Sequence, residues 1–469
     1  MSKKNNQPQI IENVTIADMA AEGKCVARHN EKVIFVEQAA PGDVADLKIF
    51  KKKKKFSYAK PVNFHQLSKD RIQPFCEHYG VCGGCKWQHI NYPKQLEYKT
   101  RQVKDNFERI GKIFTAEIFP AIPSAKDKYY RNKLEYTFSN KRWLTPEEMN
   151  SEETLQKNAL GFHIAERFDK ILDIRNCYLQ PEPSNSIRLE VRSYALKNNL
   201  SFFDIVEQHG FLRNLIIRTA NSGQVMVIVQ VFHKDDEKLF GLLDHLVHRF
   251  PEITSLQYVI NHKGNETFHD LEVHTYSGES YITETMEGLQ FRVGPKSFYQ
   301  TNSDQAYELY KVARDYAGLT GKENVYDLYT GTGTIANFVA RNAAKVTGIE
   351  FVPMAIEDAK VNSEINGIGN TSFYAGDVKD VLTEELIKRE GRPDVIITDP
   401  PRAGMHEDVV KKILELAPEK VVYVSCNPAT QARDLALLEE IYTVVKAQPV
   451  DMFPYTHHVE SVALLVRKL

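Results

Sequence analysis

The sequence predicts an α/β protein in three parts: a small β-barrel over residues 1–66, an α+β region over 67–290, and an open, mainly parallel α/β sheet over 291–469. Three observations predict it. From Asn324 to Val466, short β-branched runs alternate with helical segments. From Gln9 to Phe50, strand-like runs follow one another with only turn residues between them. A chain of 469 residues also exceeds what one core can serve. With 42% hydrophobic and 26% charged residues the composition is that of a globular protein, and no apolar run is long enough to span a bilayer. Met1-Ser2-Lys3-Lys4-Asn5-Asn6 lacks the apolar core of a signal peptide, so a cytoplasmic location is expected.

In the first part the strand-like runs are 9–14, 24–28, 32–36 and 43–50. Gly23, Asn30-Glu31 and Pro41-Gly42 turn the chain between them, and an antiparallel barrel is the simplest closure. Lys48 to Lys60 then interleaves lysines with Phe50, Phe56 and Tyr58. Ammonium groups can meet phosphates there while rings stack on bases, although a solvated hairpin tip would read the same. Net charge is −2, but up to Lys128 there are 23 Lys+Arg against 14 Asp+Glu, which leaves +9 there and −11 in the remainder. Such asymmetry fits a polyanion-binding region on an acidic body.

Six cysteines in so long a chain make no disulfide scaffold. Cys76, Cys82 and Cys85 fall within ten residues in a C-x5-C-x2-C spacing, with Gly80, Gly83 and Gly84 allowing a tight backbone. Cys177 is the best fourth ligand. Four thiolates suit zinc or a 4Fe-4S cluster. A helix is expected over 90–112, with Leu96, Val103, Phe107 and Ile110 at helical spacing, and a mixed α/β region from 117 to about 290. Residues 129–138 look like a strand, and the acidic stretch 146–154 reads as an exposed loop.

Gln300-Thr301-Asn302 precedes a helix from Ser303 to Ala317 and reads as an N-terminal cap. The regular alternation follows: strands near 324–329, 345–350, 371–374, 394–398 and 421–425, then a last pair around 442–445 and 460–466. In a parallel sheet the carboxyl ends of the strands share one edge, which gathers Gly331, Gly333, Glu350, Asp377, Asp399 and Cys426. The glycines allow close backbone approach to a ligand, Glu350 can accept ribose hydroxyls, and Asp377 can meet an adenine edge. Gly331-Thr332-Gly333-Thr334-Ile335-Ala336 is compatible with a nicotinamide or an S-adenosylmethionine site. Asp399-Pro400-Pro401 favours the second, since this turn is typical of methyltransferases. Cys426 could be a nucleophile, a metal ligand or a small buried hydrophobe.

Residues 10 to 64 resemble a TRAM domain. Asp327-Leu328-Tyr329-Thr330-Gly331-Thr332-Gly333, Asp399-Pro400-Pro401-Arg402-Ala403-Gly404, Ser425-Cys426-Asn427-Pro428 and His458-Val459-Glu460-Ser461-Val462 follow in the order seen in RNA uracil-5-methyltransferases. With the barrel and the cysteines, the chain resembles the RlmD-type branch acting on 23S ribosomal RNA. The tRNA branch is disfavoured because it is taken to lack both features. The resemblance implies a Rossmann-like class I methyltransferase domain and S-adenosylmethionine as methyl donor. It implies Cys426 as nucleophile and Glu460 as base, with Gln300, Tyr329, Glu350, Asp377 and Asp399 in the cofactor and base pocket. It further implies a 4Fe-4S cluster on Cys76, Cys82, Cys85 and Cys177, and a monomer that binds RNA without a membrane. Thr330 departs from the family, where many members carry Cys. Two rival readings stay open: an iron-sulfur RNA-binding or assembly protein without turnover, and an amino-group methyltransferase using Asp-Pro-Pro without a thiol.

Overall fold

The computed structural model describes residues 9–150, 155–165 and 167–469. Its first five strands are β1 (Ile10–Met19), β2 (Cys25–His29), β3 (Lys32–Val36), β4 (Val44–Lys52) and β5 (Phe56–Gln66), closed into a barrel in the order β1-β2-β3-β5-β4. Alternation along the strands turns Ile34, Val36, Ala45, Leu47, Ile49 and Ala59 inward. Cys25 belongs to that core, its thiol donating to the Ala39 carbonyl at 3.0 Å. β1 runs past the expected end at Val14 because Asn13, at φ 52°, sits where the pairing shifts and returns Val14 and Ile16 to the interior.

Helix α1 (Tyr92–Asn106) starts at Asn91, whose side chain accepts from the Lys94 amide at 3.0 Å, with Pro93 in the first turn. Its buried stripe is Gln95, Tyr98, Lys99 and Val103, continued by Phe107, whereas Ile110 is exposed. Polar residues hold core positions there because each has a partner across the fold. Strand β6 (Glu117–Ile118), expected in the central region, instead pairs with Lys446 and Ala447 at the edge of the C-terminal sheet. Val103, Phe107 and Ile113 likewise pack into that sheet's core.

The central region comprises β7 (Lys133–Ser139), α2 (Pro146–Met149), β8 (Ala159–Ile164), β9 (Arg167–Asp173), α3 (Ser184–Lys197), β10 (Leu212–Thr219), β11 (Val225–Val231), α4 (Asp236–Arg249), β12 (Ile253–Ile260) and β13 (His274–Gly278). Seven strands form one sheet, β13-β12-β11-β10-β7-β8-β9, with α3 and α4 packed on it through Ile187, Val191, Leu239 and Leu242. β7 starts later than expected because the Tyr129 and Arg131 amides donate to the Tyr178 and Leu179 carbonyls, each at 2.7 Å. The acidic stretch expected to be a loop opens with α2, and its residues 151–154 lie outside the described residues.

A hairpin of β14 (Ile282–Met286) and β15 (Leu289–Val293) leads to α5 (Ser303–Ala317). Then follow β16 (Asn324–Leu328), α6 (Thr334–Ala340), β17 (Lys345–Glu350), α7 (Pro353–Ile365), β18 (Thr371–Ala375), α8 (Val378–Val381), α9 (Glu384–Glu390), β19 (Val395–Thr398), α10 (Glu407–Leu416), β20 (Lys420–Ser425), α11 (Pro428–Leu438), β21 (Tyr442–Val450) and β22 (Glu460–Arg467). The sheet order is β18-β17-β16-β19-β20-β22-β21-β6, parallel through β20 and antiparallel from β20 to β22 and from β22 to β21. Val325 packs with α5 and α6 on one face, while Tyr326 and Leu328 pack with α1 and α10 on the other. The order reverses between β16 and β19, and ligands of such sheets bind outside the carboxyl ends at that point.

Candidate active site

The loop after β16 is built for a close approach. Gly331 has φ 56°, and a Cβ there would meet nothing within 4 Å, so its backbone borders open space. Gly333, at φ 72°, serves packing instead. A Cβ there would lie 2.8 Å from the Ala359 Cβ, so this glycine lets α6 and α7 approach each other. Thr330 Oγ1 donates to Asp327 Oδ2 at 2.5 Å and holds the loop to the strand it leaves. Glu350, ending β17, accepts from the Gly331 amide at 3.2 Å and from the Val352 amide at 2.9 Å. Tyr329 is a non-glycine residue at φ 65°, a strained conformation at the mouth of the same loop.

Asp377 caps the short α8, accepting from the Lys379 amide at 3.2 Å, and faces the Lys379 ammonium at 3.5 Å. Asn302 is the cap of α5 that the sequence suggested, accepting from Gln305 at 3.2 Å. It also donates from Nδ2 to the Met452 carbonyl at 3.0 Å. Two residues before it, Gln300 is held through its carbonyl, which accepts from Asn132 Nδ2 at 2.8 Å. Its side chain has no hydrogen-bond partner among the described residues.

Strands β19, β20 and β22 bring the remaining residues together. Ser425 pairs with Ser461 across the antiparallel ladder, so Cys426 and Glu460 lie one step beyond, at the same end. The Asp-Pro-Pro turn is tied to the cysteine turn, because Asn427 Nδ2 donates to the Arg402 carbonyl at 3.0 Å. Asn427 also caps α11 through the Ala429 amide at 3.2 Å. The side chains of Cys426, Asp399 and Glu460 make no hydrogen bond among the described residues. Burial pushes the Glu460 carboxyl up to about 8, with Asp399 adding to the shift. Asp399 is pushed up to about 7 by burial and by Asp327, and Asp327 to about 7 by burial despite Thr330. The Cys426 thiol rises to about 11 through burial and the nearby Glu460 and Asp399, with Arg402 acting in the opposite sense. Burial disfavours the charged forms of Glu460, Asp399, Asp327 and Cys426, and such groups gathered at one sheet edge are candidates for chemistry.

Sequence reasoning assigned no role to Asp327, Arg402, His457 or His458. Burial keeps both histidines neutral, His458 being pushed down to about 4 with Arg402 adding to it. Asp327 and Arg402 stand inside the motifs that carry the resemblance, so a signal for them was present in the sequence.

The four remaining cysteines converge elsewhere. Cys76, Cys82, Cys85 and Cys177 line one cavity of about 470 Å³ between the glycine-rich loop and the central sheet. All are free thiols, and burial pushes Cys82 up to about 11 and Cys85 to about 12. Among the described residues no group of three or more His, Cys, Asp or Glu side chains is arranged to hold a metal ion. The donor type fits a thiolate-ligated group. A second cavity, about 480 Å³, lies between the barrel and this loop, lined by Lys24, Lys51, Lys60 and Lys86 together with Phe50 and Tyr58. Lys51 lies 5.5 Å from the Tyr58 ring centroid and Lys60 5.5 Å from that of Phe50.

Comparison with known proteins agrees with this geometry. The tRNA (uracil-5-)-methyltransferase family model matches residues 278–468, and the TRAM domain model matches residues 11–62. A Bacteroides thetaiotaomicron protein described as an uncharacterized RNA methyltransferase is 61% identical over 95% of this chain and 99% of its own. A Porphyromonas gingivalis protein of the same description is 56% identical over 96% and 99%. The crystal structure of Pyrococcus abyssi tRNA (uracil-54, C5)-methyltransferase with S-adenosyl-L-homocysteine matches at 27% identity and a TM-score of 0.74, covering 97% of this chain and 99% of that one. A tRNA enzyme thus shares the architecture along nearly its whole length, which corrects the expectation that a barrel sets the ribosomal branch apart. The chain belongs to the S-adenosylmethionine-dependent RNA uracil-5-methyltransferase family and carries that chemistry on a class I methyltransferase sheet behind a TRAM barrel.

Proposed function

We propose that the protein methylates carbon 5 of a uridine in 23S ribosomal RNA through a covalent adduct on Cys426. The observation that carries the chemistry of this reading is the placing of Cys426 opposite Glu460 at the sheet edge that also holds Gly331, Glu350 and Asp399; the choice of 23S RNA rests on the resemblance to the RlmD-type branch. Uracil carbon 5 is a weak nucleophile until a thiolate adds to carbon 6. The Cys426 thiol loses its proton to solvent, its sulfur forms the S–C6 bond, and the electron pair of the C5=C6 bond moves towards the carbon 4 oxygen as an enolate. Carbon 5 then takes the methyl group that S-adenosylmethionine would supply on leaving as S-adenosylhomocysteine. Glu460 removes the carbon 5 proton, the C5=C6 bond returns, and Cys426 leaves as the thiolate. Glu460 takes this proton in its ionised form, and the burial that raises its proton affinity strengthens it as a base once it is ionised.

In this reading Gln300, Tyr329, Gly331, Gly333, Glu350, Asp377 and Asp399 hold the cofactor and the base, Gly333 through loop shape. Gly331 contributes the open space that its backbone borders. Asp327 supports the loop from beneath through Thr330. The target uridine leaves its stack to reach the pocket, and the lysine- and aromatic-lined cavity beside the barrel suits the flanking strand.

Cys76, Cys82, Cys85 and Cys177 would hold a 4Fe-4S cluster, which when bound crosslinks the glycine-rich loop to the Cys177 segment. Support comes from four free thiols around one cavity. A tRNA uridine is the second reading, favoured by the Pyrococcus abyssi likeness. Mapping 5-methyluridine in both RNAs from a deletion strain separates the two: loss from 23S RNA supports the first, and loss confined to tRNA replaces it.

A further inference from the structure

Residues 451–459 join β21 to β22 and deliver the chain to Glu460, and parts of the molecule far away in sequence grip them. Lys99 Nζ, on α1, donates to Asp451 Oδ1 at 2.5 Å and to the Phe453 carbonyl at 3.1 Å. Asp451 Oδ1 also accepts from the Phe453 amide at 3.0 Å. One turn earlier on α1, Gln95 Oε1 accepts from the Tyr455 amide at 2.9 Å. The Tyr455 carbonyl takes the Lys86 and Trp87 amides, both at 2.9 Å, and Tyr130 donates to the Pro454 carbonyl at 3.0 Å. Tyr455 itself is held at φ 63°.

The Lys99 and Asp451 side chains are both 0% exposed. A buried ion pair is seldom worth more to stability than well-packed apolar side chains of similar volume, because both charges lose their water. What such a pair supplies that apolar packing cannot is direction. The Lys99 ammonium aims its protons at a carboxylate and a carbonyl of the same short loop and so fixes that loop's shape. Asp451 directly follows Val450, which pairs with Glu460 in the β21–β22 register. A displacement at Asp451 is therefore passed to Glu460 across one strand spacing.

We infer that the Lys99–Asp451 pair is a positioning device for Glu460, set to govern proton removal from carbon 5 and release of the covalent adduct rather than to stabilise the fold. The inference rests on the reading of Glu460 as the base. Lys99 and Asp451 touch neither substrate nor cofactor; they act through the loop.

The test compares full-length wild type, Glu460→Gln, and the double variant Lys99→Met/Asp451→Leu, which replaces the pair by apolar side chains. Each is mixed with unmodified uridine-containing substrate RNA and S-adenosylmethionine, and the protein–RNA adduct is quantified on denaturing gels and by mass. The double variant is expected to fold with a wild-type melting temperature and to turn over about a hundredfold more slowly, the cost of a misplacement near 1 Å. Methylated adduct should accumulate while the KM values for RNA and cofactor stay within about twofold. Wild-type release by the folded double variant would overturn the inference. So would slow turnover without adduct, or failure of the double variant to fold, which would make the pair a stability element. If Glu460→Gln itself accumulates no methylated adduct, the base assignment fails instead, which separates the two claims.

Discussion

Glu460 stands opposite Cys426 because Ser425 and Ser461 pair in the antiparallel β20–β22 ladder, and each reacting residue lies one step past that pair at the same end. In the proposed reaction one residue opens the C5=C6 bond of uracil and the other allows it to return. Strand register sets which two positions face each other at the sheet edge. The loop before Glu460 still sets its direction.

Cys426→Ser keeps the volume of the site and removes the thiolate. Turnover is expected to fall on the order of 10⁴-fold or more, because a serine hydroxyl is a far weaker nucleophile than a thiolate. Adduct formation with 5-fluorouridine RNA, read as a mass shift of the protein, should vanish while cofactor binding measured by calorimetry persists. An adduct of undiminished yield in this variant would sink the mechanism.

Glu460 makes stability depend on pH with a definite sign. Its folded carboxyl is raised from 4.5 to about 8, so the folded protein holds a proton that the unfolded chain releases. Between those values the folded state binds more protons, and stability falls as pH rises, by on the order of a few kcal/mol once pH exceeds the folded value. Asp327 and Asp399, each raised from 3.8 to about 7, act in the same sense, and the three titrate as a coupled set. Glu460→Gln removes one share, so its advantage over wild type should grow between about pH 5 and about pH 9 in urea unfolding. An advantage that shrinks over that range contradicts the assignment.

Lys51 to Lys55 are all exposed, at the end of β4 and in the turn to β5. Replacing all five by Gln is expected to weaken RNA binding and to flatten its logarithmic salt dependence by about 2 to 3, given roughly 0.7 per phosphate on a single strand. Methylation of a saturating short RNA should change far less. An unchanged salt slope in filter binding would reduce the tip to a solvated hairpin.

Cys82→Ser tests the thiol cavity. Anaerobically purified wild type is expected to be brown, with broad visible absorption and bound iron, and the variant to lose both. The melting temperature should drop by several degrees as the crosslink between the loop and the Cys177 segment is lost. The 5-fluorouridine adduct should still form at low temperature. A colourless wild type containing zinc would replace the iron-sulfur reading.

Much of this was legible in the sequence because the C-terminal sheet writes each strand as a continuous apolar run that ends in a polar turn. Burial on both faces forces that pattern, and the carboxyl ends must share an edge, so Glu350, Asp399 and Cys426 could be grouped without coordinates. The cysteine spacing was equally readable, and Cys177 lines the same cavity as the other three. The placing of α1 and β6 was not legible, since nothing in residues 92–118 says which of two cores their apolar side chains enter. Nor could the sequence separate the roles of Gly331 and Gly333, which differ only in whether α7 stands against them. Patterning along the chain determined where the strands end and which residue types stand at their shared edge, because periodicity and turn residues are local. Only the tertiary structure decided that Lys99 meets Asp451, 352 positions away, because a buried charge is tolerated by virtue of its partner, and a partner is a property of the folded chain.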